Sequence, residues 1–156
     1  MTAAPGAGDP APRFSMPTDG GGNVSLEALK GTPFVLYFYP KDDTPGCTTE
    51  AIDFTARAAD FAALGVTVIG CSKDSVAKHD RFKAKHGLAV TLAADEDGST
   101  CEAFGVWVEK SMYGRKYMGI ERASFLVDGG GVIREVWRKV KVKGHVDAVL
   151  AAAKAL

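Results

Sequence analysis

The segment with the most chemical content is 39–51, in which Cys47 follows a run of polar and turn-forming residues. Cys47 comes soon after an apolar run that ends at Pro40, and this position predicts that the sulfur lies in the first turn of a helix. In that turn the unpaired backbone N–H groups and the positive end of the helix dipole favour a thiolate. A cysteine with a pKa of about 8.5 is roughly 3% ionised at pH 7, and a pKa of about 6 would raise the thiolate fraction about 30-fold.

The alternative for Cys47 is a packing role, since an isolated cysteine is more often a small buried apolar residue than a nucleophile. Its neighbours argue against that role, because two aspartates, a threonine, a proline and a glycine come directly before it. We therefore expect the thiol to lie outside the apolar core. Thr44 could hold the sulfur and a bound oxygen with its hydroxyl, and Pro40 would fix the entry of the loop and shield the sulfur from water.

The same segment resembles the active-site loop of peroxiredoxins, in the variant found in the bacterioferritin comigratory protein or peroxiredoxin Q subfamily. Pro40, Thr44 and Cys47 meet the spacing Pro-x-x-x-Thr-x-x-Cys. A second segment, 119–128, resembles the strand that carries the family's active-site arginine, here Arg122. With a C-terminal match at 140–150, the resemblance extends from about residue 10 to residue 150.

The resemblance implies that Cys47 attacks the terminal oxygen of a hydroperoxide and becomes a sulfenic acid as water or an alcohol leaves. Arg122 would stabilise both the thiolate and the charge that grows on oxygen as the O–O bond stretches. From residue type alone, an arginine such as Arg122 is more often a partner in a surface ion pair. Glu50 would position Arg122, or would merely suit the positive end of a helix. No metal, haem or flavin cofactor is implied.

The chain departs from the subfamily in its cysteines. Where many members carry a resolving cysteine five residues after the first, this chain has Ile52, and where others carry it in the next helix, 82–85 contains no cysteine. Cys71 at the end of a strand could reach the pocket as a resolving cysteine, although a cysteine on a β-strand is more often a packing residue. For Cys101, on a short helix, core or surface packing is favoured over a resolving role. We expect a one-cysteine cycle in which thioredoxin, glutaredoxin or glutathione reduces the sulfenic acid.

Two other functions use the same cysteine. A thiol–disulfide oxidoreductase would share the fold but generally needs a paired Cys-x-x-Cys, whereas 46–49 offers one thiol. A redox sensor that passes oxidation to a partner protein would use Cys47 alone. Continuous peroxide consumption with a thiol reductant separates an enzyme from a sensor.

Composition limits the class of protein. The chain has 156 residues, 46% of them hydrophobic and 24% charged, which is typical of one globular domain. Its formal net charge is zero, so nucleic acid is not an expected partner. Three cysteines without a Cys-x-x-Cys pair argue against a disulfide scaffold or a four-ligand zinc site. We see no signal peptide or membrane-spanning run and expect a cytoplasmic protein; the resemblance implies a monomer.

The remaining patterns define the expected fold. Residues 1–12, rich in Ala, Gly and Pro, predict a flexible leader before a single domain at 13–156. The aromatic and β-branched run at 34–39 predicts a strand buried on both faces. The other predicted elements are a helix that Gly65 ends, a strand at 66–71, a helix that Asp74 or Ser75 caps and Gly87 ends, a strand at 88–92, a short helix before Gly105, a hairpin of 124–127 with 132–137, and a last helix with its apolar residues at 146–153.

This order of elements predicts an α/β protein with a thioredoxin-like fold, in which a mixed central sheet is flanked by helices. The alternation of basic and apolar residues at 138–143 predicts an edge strand guarded by lysines. His79, His86 and His145 do not share metal-ligand spacing, and we expect all three to be solvated.

Overall fold

A computed structural model describes residues 4–156 of the chain. Five helices and nine strands are named here in chain order. They are β1 (Ser15–Pro17), β2 (Asn23–Ser25), β3 (Phe34–Phe38), α1 (Pro45–Ala56), α2 (Ala58–Ala63), β4 (Thr67–Ser72), α3 (Val76–His86), β5 (Thr91–Ala94), α4 (Ser99–Ala103), β6 (Trp107–Met112), β7 (Arg115–Ile120), β8 (Ala123–Val127), β9 (Ile133–Trp137) and α5 (His145–Lys154).

The central sheet has the strand order β5-β4-β3-β8-β9, with β3 parallel to β4 and antiparallel to β8. All five residues of β3 are buried, as expected for a strand covered on both faces. Phe38, the last residue of β3, lies opposite Ala123, the first residue of β8. The loop that follows β3 and the residue that precedes β8 therefore meet at one end of the sheet.

Side chains of β3 alternate between two apolar clusters, one on each face of the sheet. Phe34, Leu36 and Phe38 pack with the β1–β2 hairpin and α4. Val35 and Tyr37 pack with residues of α1, α2, α3 and α5. The mixed sheet flanked by helices confirms the expected thioredoxin-like arrangement.

Two predicted elements have different boundaries in the structure. The helix that was expected to continue to Gly65 is split at Arg57, whose φ of −104° and ψ of 8° are not helical. This turn allows Phe54 and Phe61, on either side of it, to pack 5.9 Å apart between ring centroids. The third strand begins at Thr91, because the backbone N–H of Leu88 still caps α3 on the carbonyl of Lys83.

The predicted edge strand at 138–143 is wrong. Lys139 has a φ of +48°, in the left-handed region, which breaks the extended conformation there. The next residue, Val140, donates its N–H to the carbonyl of Arg122 at 3.0 Å. This basic segment therefore packs against the residue that precedes β8 and forms no strand.

The β6–β7 hairpin was not predicted from the sequence. Met112 pairs with Arg115, and the two residues between them, Tyr113 and Gly114, both have positive φ angles. Such a two-residue turn matches the twist of a hairpin, but it is usually marked by Asn-Gly or Asp-Gly. With Tyr-Gly at the turn, that signal was absent.

Part of the predicted leader is attached to the domain. The N–H of Gly8 donates to the carbonyl of Ile133 at 2.7 Å, and the N–H of Ala11 donates to that of Gly131 at 2.8 Å. Ala11 is also buried in the core. Residues 1–3 of the leader lie outside the described residues.

The helices of residues 4–156 are too short or too polar for a membrane span, since none meets the length and hydropathy that a bilayer crossing requires.

Gly70 on β4 provides a test of the packing beneath α1. A Cβ at Gly70 would lie 2.7 Å from the ring of Tyr37, which is fully buried and stacked on Phe54 at 4.5 Å. We expect Gly70→Ala to lower the free energy of unfolding by about 1–3 kcal/mol because the ring cannot move away. Gly6→Ala, where a Cβ meets no atom within 4 Å, is the matched control in urea denaturation. An equal effect of both substitutions would contradict this packing.

Candidate active site

The start of α1 sets the position of the sulfur. Thr44 is the N-cap residue with extended φ and ψ angles, and Pro45 occupies the first turn. Thr44 accepts the first helical hydrogen bond, from the N–H of Thr48 at 2.8 Å. The N–H groups of Gly46 and Cys47 come before that bond and so have no acceptor within the helix. Cys47 therefore lies in the first helical turn, as the sequence predicted.

The sulfur is more buried than its polar neighbours indicated. Cys47 is 1% exposed and belongs to the apolar cluster beneath α1, so the expectation that it lies outside the core is wrong. The buried residues of α1 are Cys47, Glu50, Ala51 and Phe54, at helical spacing. Because one of these inward positions is a glutamate, the sequence does not show a continuous apolar face for α1.

Arg122 is distant from Cys47 in the sequence but contacts its sulfur in the fold. Its Nη2 donates to the Sγ of Cys47 at 3.3 Å, and its Nη1 donates to Oε1 of Glu50 at 2.6 Å. The Arg122 side chain is 16% exposed and that of Glu50 is 0% exposed. Burial alone would lower the pKa of Arg122, but the charges of Glu50 and Cys47 raise it. The guanidinium thus joins two buried groups of α1 that would otherwise lack a cation.

Glu50 holds its proton more tightly than an ordinary glutamate. Burial raises the pKa of Glu50 to about 7, although the guanidinium of Arg122 opposes this shift. Within residues 4–156, its second oxygen, Oε2, has no hydrogen-bond partner, and neither does the buried hydroxyl of Tyr37. Burial, followed by the charges of Glu50 and Cys47, raises the pKa of Tyr37, which stays a neutral phenol.

The two other predicted loop residues lie around the start of α1. The hydroxyl of Thr44 donates to the carbonyl of Lys41 at 2.8 Å, which leaves its oxygen lone pairs for a further donor. Pro40 lies two residues after Phe38, the last residue of β3, and is exposed. The structure therefore brings together Cys47, Arg122 and Glu50, with Thr44 as the helix cap.

Cys71 and Cys101 lie on the opposite face of the sheet from Cys47. Both are 0% exposed and belong to the cluster that contains Phe38, whereas Cys47 belongs to the cluster on the other face. The Sγ of Cys71 lies 3.6 Å from the Sδ of Met16. Burial raises the pKa of the Cys71 thiol and keeps it protonated. The structure does not bring either cysteine to the sulfur of Cys47.

In residues 4–156 the side chains of Cys71, Asp95 and Cys101 are close enough to be considered as metal ligands, with their ligand atoms within 4.8 Å of one another. The two oxygens of Asp95 already accept N–H groups at the start of α4, from Thr100 at 3.1 Å and from Cys101 at 2.8 Å. A capping carboxylate beside two buried cysteines accounts for this group.

The expectation that all three histidines are solvated is wrong for two of them. His79 is 0% exposed and His145 is 6% exposed. Each lies on the apolar face of its helix: His79 is three residues before Phe82, and His145 is four residues before Val149. That helical spacing to an apolar residue is the sequence signal that indicates their burial. His86 is half-buried and pairs with Asp43 at 2.8 Å.

His145 lies beside the site as a neutral ring. Its Nε2 is 2.7 Å from the hydroxyl of Ser124, two residues after Arg122. Burial, followed by the positive charge of Arg122, lowers the pKa of His145 to about 4. Burial and the same guanidinium also lower the pKa of Lys110 on β6, so this lysine is a further neighbour that sequence reasoning missed.

A groove of about 720 Å³ lies between α1 and the start of α5. On one side it is lined by Pro45, Gly46 and Thr49 of α1, and on the other by 142–147 at the start of α5. A Cβ at Gly46 would lie 3.2 Å from the Nη2 of Arg122, so the glycine leaves room for the guanidinium. The lining of the groove thus includes the residue that precedes Cys47 but not Cys47 itself.

Comparison with known proteins shows extensive similarity. The sequence profile of the AhpC/TSA family matches residues 7–136. The chain is 53% identical over 143 residues to a putative peroxiredoxin Bcp of Coxiella burnetii, covering 92% of this chain and 95% of the relative. It is 51% identical over 148 residues to the peroxiredoxin Bcp of Xanthomonas campestris, covering 94% and 92% of the two chains.

Solved structures show the same similarity in three dimensions. Peroxiredoxin Q of Xanthomonas campestris superposes with a TM-score of 0.87 at 50% identity, covering 91% of this chain and 90% of that one. A mutant of PrxQ from Xylella fastidiosa superposes with a TM-score of 0.92 at 39% identity, covering 99% and 98%.

The lowered pKa of His145 links stability to pH. The unfolded chain takes up a proton at this histidine near pH 6.5, whereas the folded chain does so only at about pH 4. The contribution of neutral His145 to stability is therefore present above pH 6.5 and is lost as the pH falls to about 4. We expect the difference in unfolding free energy between the wild type and His145→Gln to shrink by up to about 3 kcal/mol over this range.

Urea denaturation at several pH values measures this difference. Glu50 titrates in both proteins, so its own contribution cancels. A difference that stays constant between pH 4 and 7 would show that His145 is not held neutral by its surroundings.

Proposed function

The chain belongs to the AhpC/TSA family and is a thiol peroxidase, and on that premise we propose that Cys47 reduces hydroperoxides in a one-cysteine cycle with an external thiol. The single observation that carries the proposal is the 3.3 Å contact between the Sγ of Cys47 and the Nη2 of Arg122. A guanidinium on a buried sulfur stabilises the thiolate form, which is the nucleophile. Peroxiredoxins named as Bcp are the similar proteins that support the reaction class.

The first half-reaction is an attack on the O–O bond. The thiolate of Cys47 forms a bond with the terminal oxygen of the hydroperoxide as the O–O bond breaks. The electron pair of that bond goes to the leaving oxygen, which takes a proton and departs as water or an alcohol, and Cys47 becomes a sulfenic acid. Negative charge therefore moves from sulfur to the two peroxide oxygens, and donors fixed in advance around those atoms lower the barrier.

Arg122 and Glu50 supply this prearranged environment. With Nη1 held by Glu50 at 2.6 Å, the guanidinium has a fixed orientation and does not have to reorganise during the reaction. We assign to Arg122 the stabilisation of the thiolate and of the developing oxygen charge, and to Glu50 the positioning of Arg122. The oxygen of Thr44 and the exposed Pro40 complete the loop, where Thr44 holds the peroxide and Pro40 limits access of water.

The groove beside Gly46 supports organic hydroperoxides as substrates in addition to hydrogen peroxide. Its lining combines Pro45, Val142 and Val146 with charged residues, so apolar and polar substituents both find contacts there. A bacterioferritin comigratory protein of Xanthomonas campestris, with a TM-score of 0.87 to this chain, is described as having alkyl peroxide reduction activity.

The second half-reaction uses an outside thiol. The positions of Cys71 and Cys101 support this assignment, because both are buried in the cluster on the opposite face of the sheet from Cys47. One thiol attacks the sulfenic acid, releases water and forms a mixed disulfide, and a second thiol displaces Cys47 as a thiol. Thioredoxin supplies both thiols in our proposal, and glutaredoxin or glutathione are the alternatives. We propose a monomer, which is what the family resemblance implies.

The one-cysteine cycle predicts opposite results for two cysteine variants. Cys47→Ser should abolish peroxide consumption, whereas the double variant Cys71→Ala, Cys101→Ala should retain at least about half of it, because its nucleophile is intact. Peroxide consumption with reduced thioredoxin measures both, and mass spectrometry after dimedone labelling locates the sulfenic acid. Loss of turnover in the double variant with intact oxidation of Cys47 would reveal a resolving cysteine. Arrest of the wild type after one equivalent would identify a sensor.

Arg122 can be tested by a substitution that keeps its charge. Arg122→Lys retains a cation but loses the two-donor geometry, so we expect the second-order rate constant for oxidation of Cys47 to fall about 10²–10³-fold. Stopped-flow fluorescence measures that constant. Arg138→Lys is the matched control, since Arg138 bonds backbone carbonyls of 104 and 105 away from the sulfur. Equal rate constants for Arg122→Lys and the control would remove the guanidinium from the mechanism.

A further inference from the structure

His79 of α3 is buried between two oxygen acceptors. Its Nδ1 lies 2.6 Å from Oδ2 of Asp42, and its Nε2 lies 2.9 Å from the carbonyl oxygen of Ala93. A carbonyl oxygen only accepts, so Nε2 carries a hydrogen. The carboxylate requires a second hydrogen on Nδ1. The geometry therefore fits an imidazolium that donates to both oxygens.

The charges around His79 support this protonation state. Burial alone would lower the pKa of His79, but the hydrogen bond and charge of Asp42, the carbonyl of Ala93 and the charge of Asp74 raise it above 6.5. Tyr39 is the other titratable group against the ring, 3.5 Å from Nδ1. Burial raises the pKa of Tyr39, so it remains a neutral phenol that donates to Asp42 at 2.5 Å.

Asp42 is the point at which this buried network holds the active-site loop. It lies between Pro40 and Thr44, in the loop that connects β3 to the start of α1. Besides its contacts with His79 and Tyr39, its backbone N–H donates to Oδ2 of Asp74 at 2.8 Å. The side chain of Asp42 is 5% exposed, so the pair with His79 is shielded from water.

A second, outer set of contacts connects the same loop to α3. Asp43, which has a φ of +60°, accepts from Lys85 at 2.7 Å and from His86 at 2.8 Å. These contacts are largely solvent-exposed, and exposed ion pairs contribute little to the free energy of folding. Breaking a buried charged pair lowers the stability of the fold far more. The His79–Asp42 pair is therefore the main attachment of the loop to α3.

The loop has opposite tasks in the two half-reactions. Attack on a peroxide needs the start of α1 and Arg122 aligned on the sulfur, which is the closed arrangement of this structure. Reduction by a protein thiol needs access to a sulfur that is 1% exposed here, so the loop has to move away. A contact that holds the loop closed favours the first step and slows the second.

We propose that His79 is a positioning residue that holds the active-site loop closed through Asp42 and thereby sets the balance between oxidation of Cys47 and its reduction by protein thiols. The part concerning the two half-reactions rests on the proposed peroxidase function. The attachment itself depends only on the contacts of His79 and Asp42.

The attachment weakens as His79 loses its proton. Because its folded pKa lies above 6.5, the contribution of the charged pair is fully present below pH 6.5 and is lost as the pH rises through the folded pKa. The loop should therefore open more often on the alkaline side. A variant without an imidazole should lose this pH dependence.

Hydrogen exchange of His79→Gln tests the attachment without any assay of activity. We expect amide exchange in 41–48 to become about tenfold faster than in the wild type at pH 6. The additional exchange that loop opening causes in the wild type at alkaline pH should be absent from the variant. Asp42→Asn removes the charge from the other side and should give the same result, and it replaces His79→Gln if that variant does not fold. Phe82→Leu, a cavity in the same helix with the polar pair intact, is the matched control.

Stopped-flow measurement of the two half-reactions tests the consequence. In His79→Gln, oxidation of Cys47 by hydrogen peroxide should slow several-fold, while reduction of the preformed sulfenic acid by reduced thioredoxin should accelerate several-fold. Phe82→Leu should not shift the two rates in opposite directions.

Unchanged exchange in 41–48, or two rates that fall together, would overturn the proposal. If the wild type were not oxidised by peroxide at all, the proposed function would fail, and hydrogen exchange would still decide whether His79 holds the loop.

Discussion

The contact between the guanidinium of Arg122 and the sulfur of Cys47 is the interaction on which the rest of the site depends. The proposed reaction needs an ionised sulfur, and burying an ionised group is unfavourable because the charge loses its contacts with water. A fixed cation at 3.3 Å offsets that cost, and in the proposed reaction it remains in place when the charge moves from sulfur to oxygen. Glu50 then balances the cation, so that one positive group serves two buried acidic groups.

Burial explains why the surroundings of the site hold so many neutral polar groups. It raises the pKa of Glu50 to about 7, and the guanidinium of Arg122 only partly opposes this shift. Burial likewise raises the pKa of Tyr37 and lowers the pKa of His145, so that the first stays a phenol and the second an uncharged imidazole. Within residues 4–156, one oxygen atom each of Glu50 and Tyr37 lacks a hydrogen-bond partner, which lowers the stability of the fold. A site prepared for a polar substrate retains such atoms.

The central sheet separates two kinds of cysteine. The sulfur at the start of α1 lies on one face beside Arg122, and the thiols of Cys71 and Cys101 are packed among phenylalanines on the other. The loop between β3 and α1 is attached on the first face to α3, through the buried pair of Asp42 and His79. In our proposals, the reactivity of Cys47 and the access to it are therefore both controlled from one side of the sheet.

Much of this protein was determined by local sequence. The apolar run at 34–38, the glycine that ends α3 and the hairpin of β8 and β9 follow from side-chain period and turn chemistry, which depend on neighbouring residues. The position of Cys47 in a first helical turn is local as well. The identification of Arg122 needed the family resemblance, because 75 positions separate it from Cys47.

Only the tertiary structure decided which polar groups are buried and which faces meet. Glu50, His79 and His145 lie at inward helical positions, although residue type alone assigns them to solvent. Each is buried with at least one hydrogen bond to a partner from a distant element. The position of Cys71 on the far face of the sheet also depends on strand pairing, because the register of β4 with β3 places it opposite Phe38. Pairing across the sheet, which no local pattern encodes, fixed the distances between these groups and therefore the chemistry at the sulfur.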